Sequence, residues 1–270
     1  MIKQFIAFSA VITMLTFTAY AQKLSNTQKQ SIHAPAKVKI DGRADEWGDR
    51  LQAYNHAIQV DYTVANDDKK LYLIIKTDKR EIINKIVNGG ISFTVKKNGK
   101  KEIGDGPTIT YPVFNWRSHP FIRFAEMNGI RPHEADAQKK MDSLVTISND
   151  DLKAKAKYIR VIGLPQIDTL ISVYNTDGIK AHSTIDNKMN LVMEMSVELK
   201  LFGLSAADLS SFSYNIKLNG TQIDYLPGVI FRRDDNGNVT EMNFTNSRLT
   251  NIYITGLHDT DCWGTYTLVK

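Results

Sequence analysis

Five carboxylates are the candidates for acid–base chemistry in this chain: Asp41, Asp45, Glu46, Glu194 and Glu198. Hydrolysis of a glycosidic bond needs two carboxyl groups that face each other across a cleft, roughly 5–10 Å apart. The spacing of these five residues does not pair any two of them. Glu194 and Glu198 fall on the polar side of an alternating strand, where charged side chains normally face solvent. We therefore predict surface carboxylates and assign no catalytic residue, with a hydrolase that uses loop carboxylates kept as an alternative.

Metal and thiol chemistry have little support in the sequence. The six histidines are isolated from one another, and the "DDNGN" stretch at 234–238 lacks the spacing of a calcium loop, so a hairpin turn explains it. The single cysteine, Cys262, lies in "DCWGTYTLVK", which is predicted to be a terminal strand with a small buried residue at that position. There is no phosphate-binding glycine loop and no G-x-S-x-G nucleophile motif. We predict neither a metal nor a cofactor.

Carbohydrate binding is the chemistry that the residues favour. Sugar rings pack their C–H faces on an aromatic plane, while their hydroxyls need fixed polar groups. Trp116 offers such a plane in the stretch "TYPVFNWRSHPFIRF". Its polar and aromatic neighbours there complete a predicted ligand site: Tyr111, Asn115, Arg117 and His119. The alternative is an apolar loop that packs on the rest of the protein.

The elements that must position these residues are mainly strands. In "LVMEMSVEL", at 191–199, apolar and polar residues alternate over nine positions, which indicates a half-buried strand. "FSYNIKL" shows the same period, and "VDYTVA" with "KKLYLIIKT" predicts a hairpin around an Asn-Asp-Asp turn. Residues 80–88 have helical spacing and end at a Gly-Gly pair. This set predicts an all-β fold, a two-sheet antiparallel β-sandwich with a few short helices.

Three further regions have local signatures. Residues 104–157 contain repeated Gly and Pro and predict one long irregular excursion, with weak helical character in "EADAQKKMDSLV" and "NDDLKAKA". "RRDDNGNVTEM" predicts a polar hairpin, followed by a strand at "NIYITGL". In "KVKIDGRADEWGD", at 37–49, a strand at 38–40 is expected to lead into an Asp-Gly turn, and Trp47 is expected to plug the edge of the sandwich.

The N-terminus predicts export. Residues 1–21 combine a cationic start, an apolar run and an Ala-Tyr-Ala cleavage site, which is typical of a secretory signal peptide. The expected location is secreted or periplasmic after cleavage near Ala21, with a linker at 22–36 and a single domain at 37–270. No other run is long enough to span a membrane. The net charge of +5 is scattered, and its one dense run, "KKNGKK", brackets an Asn-Gly turn, so we expect no nucleic-acid partner.

The motif at 37–49, the "KKLYLIIKTDKR" strand and the later "LVMEMSVELKLFGL" and "SYNIKLNG" stretches resemble the family 9 carbohydrate-binding-module-like, or DOMON-like, β-sandwich domains of exported Bacteroidetes proteins. The resemblance covers 37–101 and 180–270. It implies the sandwich fold and a glycan ligand held by aromatic residues, of which Trp116 matches here. We therefore expect an exported, non-enzymatic binding module for glycan. A structural or envelope protein-interaction domain without a small ligand is the alternative.

Overall fold

The computed structural model describes residues 24–48, 51–97, 101, 106–114, 119–220, 229–236, 239–245 and 255–270. Within these ranges, thirteen strands, numbered in chain order, form three sheets in which every paired strand is antiparallel. Two large sheets face each other across one apolar core. This arrangement confirms the all-β sandwich expected from the alternating strands.

The first large sheet has five strands in the order β1–β2–β3–β9–β8. They are Ala53–Asn55 (β1), Val60–Asn66 (β2), Lys70–Thr77 (β3), Leu191–Glu198 (β9) and Ile179–Ile185 (β8). The predicted hairpin is the β2–β3 pair, in which Val64 lies opposite Leu73. The strand β9 then places the second half of the chain beside β3, with Met195 opposite Leu73.

The second large sheet has six strands in the order β13–β10–β4–β5–β6–β7. They are Thr260–Thr267 (β13), Ser211–Leu218 (β10), Ile91–Lys96 (β4), Thr108–Val113 (β5), Tyr158–Ile162 (β6) and Leu170–Ser172 (β7). Their inward side chains join the core, while the alternate positions form the outer face of this sheet. We call that outer face the open face.

The core has the register that the sequence predicts. The alternate residues of β9 and the residue after it are at most 2% exposed and belong to one apolar cluster: Leu191, Met193, Met195, Val197 and Leu199. The inward residues of β10 are also fully buried: Phe212, Tyr214, Ile216 and Leu218. Cys262 of β13 is buried as well, and burial raises the pKa of its thiol to about 12. The predicted small buried role of Cys262 is therefore confirmed.

One helix closes an end of this core. The helix α1 (Arg80–Gly89) buries four apolar side chains: Ile82, Ile83, Ile86 and Val87. It ends where Gly90 takes a φ of +74° and donates its backbone N–H to the Ile86 carbonyl at 2.8 Å. The predicted helix at 80–88 and its glycine stop are both confirmed.

The region 104–157 is more regular than its Gly and Pro content indicates. Its described part contains β5, which lies inside the six-stranded sheet between β4 and β6. It also contains the short helix α2 (Phe124–Met127) and the 19-residue helix α3 (Ala137–Lys155). The two segments of weak helical character are thus parts of one helix, held by the buried side chains of Ser148 and Leu152. In the described part of this region, the loops between these elements are irregular.

The segment at 24–36 differs from the linker that the sequence predicts, because it packs on the five-stranded sheet. Gln28 is buried, and its side-chain amide exchanges two hydrogen bonds with the backbone of Val64 at 2.7 and 2.8 Å. The backbone N–H of Ala34 donates to the carbonyl of Asn66 at 2.8 Å. The polar residues of this segment therefore form hydrogen bonds to the backbone of the sheet, and the segment is not a loose arm.

The third sheet is the small hairpin of β11 (Val229–Arg233) and β12 (Val239–Phe244). It confirms the predicted polar hairpin, although the predicted strand at "NIYITGL" differs, because its described part, 255–257, is helical. The stretch 38–40, also expected to be a strand, has no regular secondary structure. Across the ranges that the structure describes, no helix combines the length and apolar character needed to span a membrane.

Candidate functional site

The carboxylate of Glu194 has a different place from the solvated one that the strand alternation predicts. Glu194 is fully buried on the outer face of the five-stranded sheet, beneath residues 38–48. Its carboxylate accepts hydrogen bonds from the backbone N–H groups of Asp41 and Gly42, at 3.0 and 2.8 Å, and from the indole N–H of Trp47 at 2.8 Å. The prediction that Glu194 faces solvent is therefore wrong, because residues 38–48, which are distant from Glu194 in the sequence, cover this face of the sheet.

Burial raises the pKa of the Glu194 carboxyl to about 7, although its three N–H donors favour the charged form. Among the described residues, Glu194 does not line the cavity beside Asp41 and Asp186, the cavity beside Tyr54 and Lys79, or the cavity beside Trp263. Its geometry is that of an anchor, since one side chain of β9 fixes the Asp-Gly turn and the tryptophan together. We call the outer face of the five-stranded sheet, with residues 32–48 packed on it, the covered face.

Trp47 completes the anchor on the covered face. It lies in a short 3₁₀ helix, Asp45–Trp47, and is partly buried. Its ring centroid is 6.0 Å from that of Tyr72 in an edge arrangement, and it packs against the buried Ile74 and Val192. Trp47 therefore packs on the outer face against β3 and β9 rather than at an edge of the sandwich, and its indole N–H is satisfied by a residue 147 positions away.

The other candidate carboxylates lie at the surface. Asp41 pairs with Arg43 at 2.9 Å, and Glu198 pairs with Lys200 at 2.6 Å. The Arg43 hydrogen bond holds the pKa of Asp41 below its ordinary value, and Lys200 does the same for Glu198. These ion pairs give the two carboxylates a local electrostatic role.

The ligand site predicted around Trp116 falls largely outside the described residues. Asn115, Trp116 and Arg117 are among those not described. Tyr111 lies on the inward side of β5 and is 1% exposed, and its hydroxyl accepts a hydrogen bond from Ser183 at 3.4 Å across the core. Tyr111 therefore presents no aromatic plane to solvent, since the strand turns its ring inward. His119 is exposed, with Nδ1 3.4 Å from the Pro120 carbonyl oxygen.

A cavity lies on the open face, and we call it the sheet cavity. It has a volume of about 850 Å³ and is lined by outward side chains of five strands, from β13 to β6. Strand register arranges these side chains in two rows that cross the sheet. One row is Trp263, Asn215, Thr94, Thr108 and Ile162, and the other is Asp261, Lys217, Ser92, Thr110 and Arg160.

Hydrogen bonds hold the floor of the sheet cavity in place. Hydroxyl groups on β4 and β5 pair across the strands, Ser92 with Thr110 at 2.8 Å and Thr94 with Thr108 at 2.7 Å. Thr94 and Thr108 are partly exposed, so each still has a lone pair for a ligand, whereas Ser92 and Thr110 are 6% exposed and Ser92 also donates to Asn219 at 3.1 Å. The floor is therefore a fixed lattice of small hydroxyl groups rather than a set of long flexible side chains.

The β10–β13 side of the sheet cavity carries amide and charged groups. Asn215 donates its side-chain N–H to Asp261 at 2.6 Å, and Lys217 pairs with Asp259 at 2.9 Å. Desolvation acts to raise the pKa of Asp259, but hydrogen bonds from Lys217 and from the backbone N–H of Gly220 hold that pKa below its ordinary value. Asp259 is therefore charged near neutral pH and is poorly suited to be a general acid.

Trp263 supplies the aromatic ring of this site and lies outside the ligand site predicted around Trp116. It is partly exposed on β13, opposite Asn215, and the Lys96 ammonium lies 5.7 Å from its ring centroid. A usable signal was present in the alternation. Trp263 follows Cys262, which is predicted to be buried, so period two places the tryptophan on the outer face.

No group of three or more His, Cys, Asp or Glu side chains in the described ranges is arranged to hold a metal ion. A scan against protein-family models found no match, and no curated protein matches the chain.

Proposed function

We propose that the protein is an exported carbohydrate-binding module that holds a glycan across the open face of its six-stranded sheet. The observation that carries this proposal is the sheet cavity. It combines one aromatic plane, Trp263, with a floor of fixed hydroxyl and amide groups. A glycan needs both, because its rings have C–H faces and its edges carry hydroxyls.

Export is supported by the signal-peptide pattern at 1–21, and extracellular polysaccharide is accessible to an exported protein. Binding without hydrolysis is supported by the state of the carboxylates. Asp259, in the cavity, has a lowered pKa, and Glu194, with its raised pKa, is buried on the opposite side of the sandwich. The carboxyl group with the raised pKa therefore lies away from the two carboxylates of the cavity, Asp259 and Asp261, which accept hydrogen bonds from Lys217 and Asn215.

The test is binding of a panel of soluble polysaccharides and oligosaccharides by affinity electrophoresis and calorimetry. We expect Trp263→Ala to weaken binding by more than about tenfold, since a tryptophan that anchors a binding site typically contributes about 2 kcal/mol. Asn215→Ala is expected to weaken binding by a smaller factor. The matched control is Tyr174→Ala, which removes an exposed aromatic ring that does not line the cavity.

A parallel Trp116→Ala variant compares this site with the one predicted from sequence. Loss of binding in Trp116→Ala with full binding in Trp263→Ala would move the site to the 115–118 segment. A wild-type protein that binds no glycan of the panel at millimolar concentration would contradict the proposal and favour the structural-domain alternative.

A further inference from the structure

We infer that the glycan is acidic and that Arg160 binds one of its carboxylate groups. This inference rests on the proposed function and names the ligand class of the same cavity. Arg160 lies on β6 at the far end of the polar row, opposite Thr110 on one side and Leu170 on the other. Its side chain is exposed and lines the sheet cavity.

Arg160 differs from the other cation that lines the cavity. Lys217 is neutralised by Asp259 at 2.9 Å. The guanidinium of Arg160 has no ion pair or hydrogen bond with any residue in the described ranges. A planar guanidinium with five N–H donors matches a carboxylate through two parallel hydrogen bonds. The unpaired cation at this end of the cavity is therefore complementary to an acidic group on the ligand.

The side chains around Arg160 strengthen such a pair. Its outward neighbours on β6 are Tyr158 and Ile162, and Leu170 lies across the strand, each about half exposed. These apolar groups offer no competing carboxylate. A ligand that covers them would also exclude water from the ion pair, which raises the strength of the attraction.

The opposite end of the cavity carries charges of both signs. Asp261 lies on β13, Asp259 just before that strand pairs with Lys217 at 2.9 Å, and the Lys96 ammonium is 5.7 Å from the Trp263 ring centroid. Neutral hydroxyls of a ligand can donate to these carboxylates. Trp263 and Arg160 are four strands apart, which corresponds to about 19 Å at the usual spacing between strands. The ligand is thus an oligosaccharide, with a neutral ring face at Trp263 and a uronate at Arg160.

The test compares each acidic oligosaccharide with its own carboxyl-reduced form, which has the same rings and no charge. Probes are oligogalacturonates, oligoalginates and glucuronoxylan oligosaccharides, titrated calorimetrically at low and physiological salt. We expect wild type to bind at least one acidic probe about tenfold more tightly than its reduced form. Arg160→Gln should lose this preference and keep its affinity for the reduced form. Arg160→Lys should retain part of the preference, because it keeps the charge without the planar fork.

Arg131→Gln is the matched control, since it removes the same charge from an exposed residue that does not line the cavity. Equal binding of acidic and reduced probes by wild type would overturn the inference and leave the proposed function standing. A preference for sulfated neutral glycans over uronates would also overturn it. Failure of both acidic and reduced probes to bind would contradict the inference and the proposed function together. Thermal midpoints of all variants show whether a loss reflects unfolding.

Discussion

The outer faces of the two sheets carry similar side chains under different cover. The covered face has Trp47 beside Glu194, and the open face has Trp263 beside Asp261. On the covered face, residues 41–47 bring three N–H donors to the acid, and residues 32–48 exclude water. On the open face, the acid meets one amide and a cavity of about 850 Å³. Where the chain itself supplies the hydrogen-bond partners of the acid, the aromatic–acid pair anchors the fold. Where a ligand must supply those partners, the pair is a candidate binding site.

The largest difference between the faces should come from removing the acids. Glu194→Ala leaves three N–H donors without their acceptor, so we expect it to lower the free energy of unfolding by about 4 kcal/mol. Asp261→Ala on the open face should lower it by no more than about 1 kcal/mol. Urea denaturation measures both. Equal losses would mean that the two acids have the same structural role.

The second largest difference between the two faces should appear in the pH dependence of the free energy of unfolding, through Glu194 on the covered face. The ordinary pKa of Glu194 is 4.5 and burial raises it to about 7 in the folded protein. The folded state therefore binds this proton more tightly than the unfolded chain. The contribution of Glu194 to the free energy of unfolding is complete below about pH 4.5 and is lost as the pH rises through about 7. The expected loss is on the order of 3 kcal/mol.

The comparison must be made between wild type and Glu194→Gln at each pH. Burial lowers the pKa of His182, so that residue has the opposite dependence, with stability lost as the pH falls below its ordinary value of 6.5. The difference between the two proteins removes this contribution. A wild-type minus Glu194→Gln difference that is flat from pH 4 to 8 would show that the Glu194 pKa is not raised.

The two tryptophans offer a third comparison. Trp47→Ala removes packing against Tyr72, Ile74 and Val192 and one donor to Glu194, and we expect it to lower the free energy of unfolding by about 3 kcal/mol. Trp263→Ala should lower it by about 1 kcal/mol or less while weakening glycan binding. A larger loss of stability in Trp263→Ala than in Trp47→Ala would mean that Trp263 is the structural anchor and Trp47 is not.

The smallest effect concerns the Asp-Gly turn. Gly42 has a φ of +80°, and a Cβ there would lie 2.8 Å from Thr184 and 2.9 Å from His182, so Gly42→Ala should lower the free energy of unfolding by about 2 kcal/mol. Gly48 has a φ of +77° with no atom within 4 Å of its Cβ position, so Gly48→Ala should lose only about 1 kcal/mol from backbone strain. Comparing the two variants by thermal or urea unfolding separates the stability loss caused by the steric clash from the loss caused by backbone strain.

Strand period and turn chemistry were sufficient to predict the core. Met193 and Met195 face inward, the 80–88 helix forms, and the polar hairpin appears, because each depends on neighbours within a few residues. The place of Glu194 could not be read in this way. Alternation separates the two sides of a strand, but the cover over its outer side comes from residue 41, 153 positions away. The same limit applies to the cavity beside Trp263, since it is assembled from five strands that are distant in the sequence.

The amide of Gln28 also protects an exposed edge. The short β1 pairs only with residues 60–62 of β2, so the backbone beyond Tyr62 would otherwise be free to accept a strand from another molecule. The side chain of Gln28 hydrogen-bonds to the backbone N–H and carbonyl of Val64. The backbone of residues 32–34 hydrogen-bonds to the N–H and carbonyl of Asn66. The segment expected to be a linker thus works against edge-to-edge aggregation. A chain shortened past residue 34 is expected to self-associate through β2.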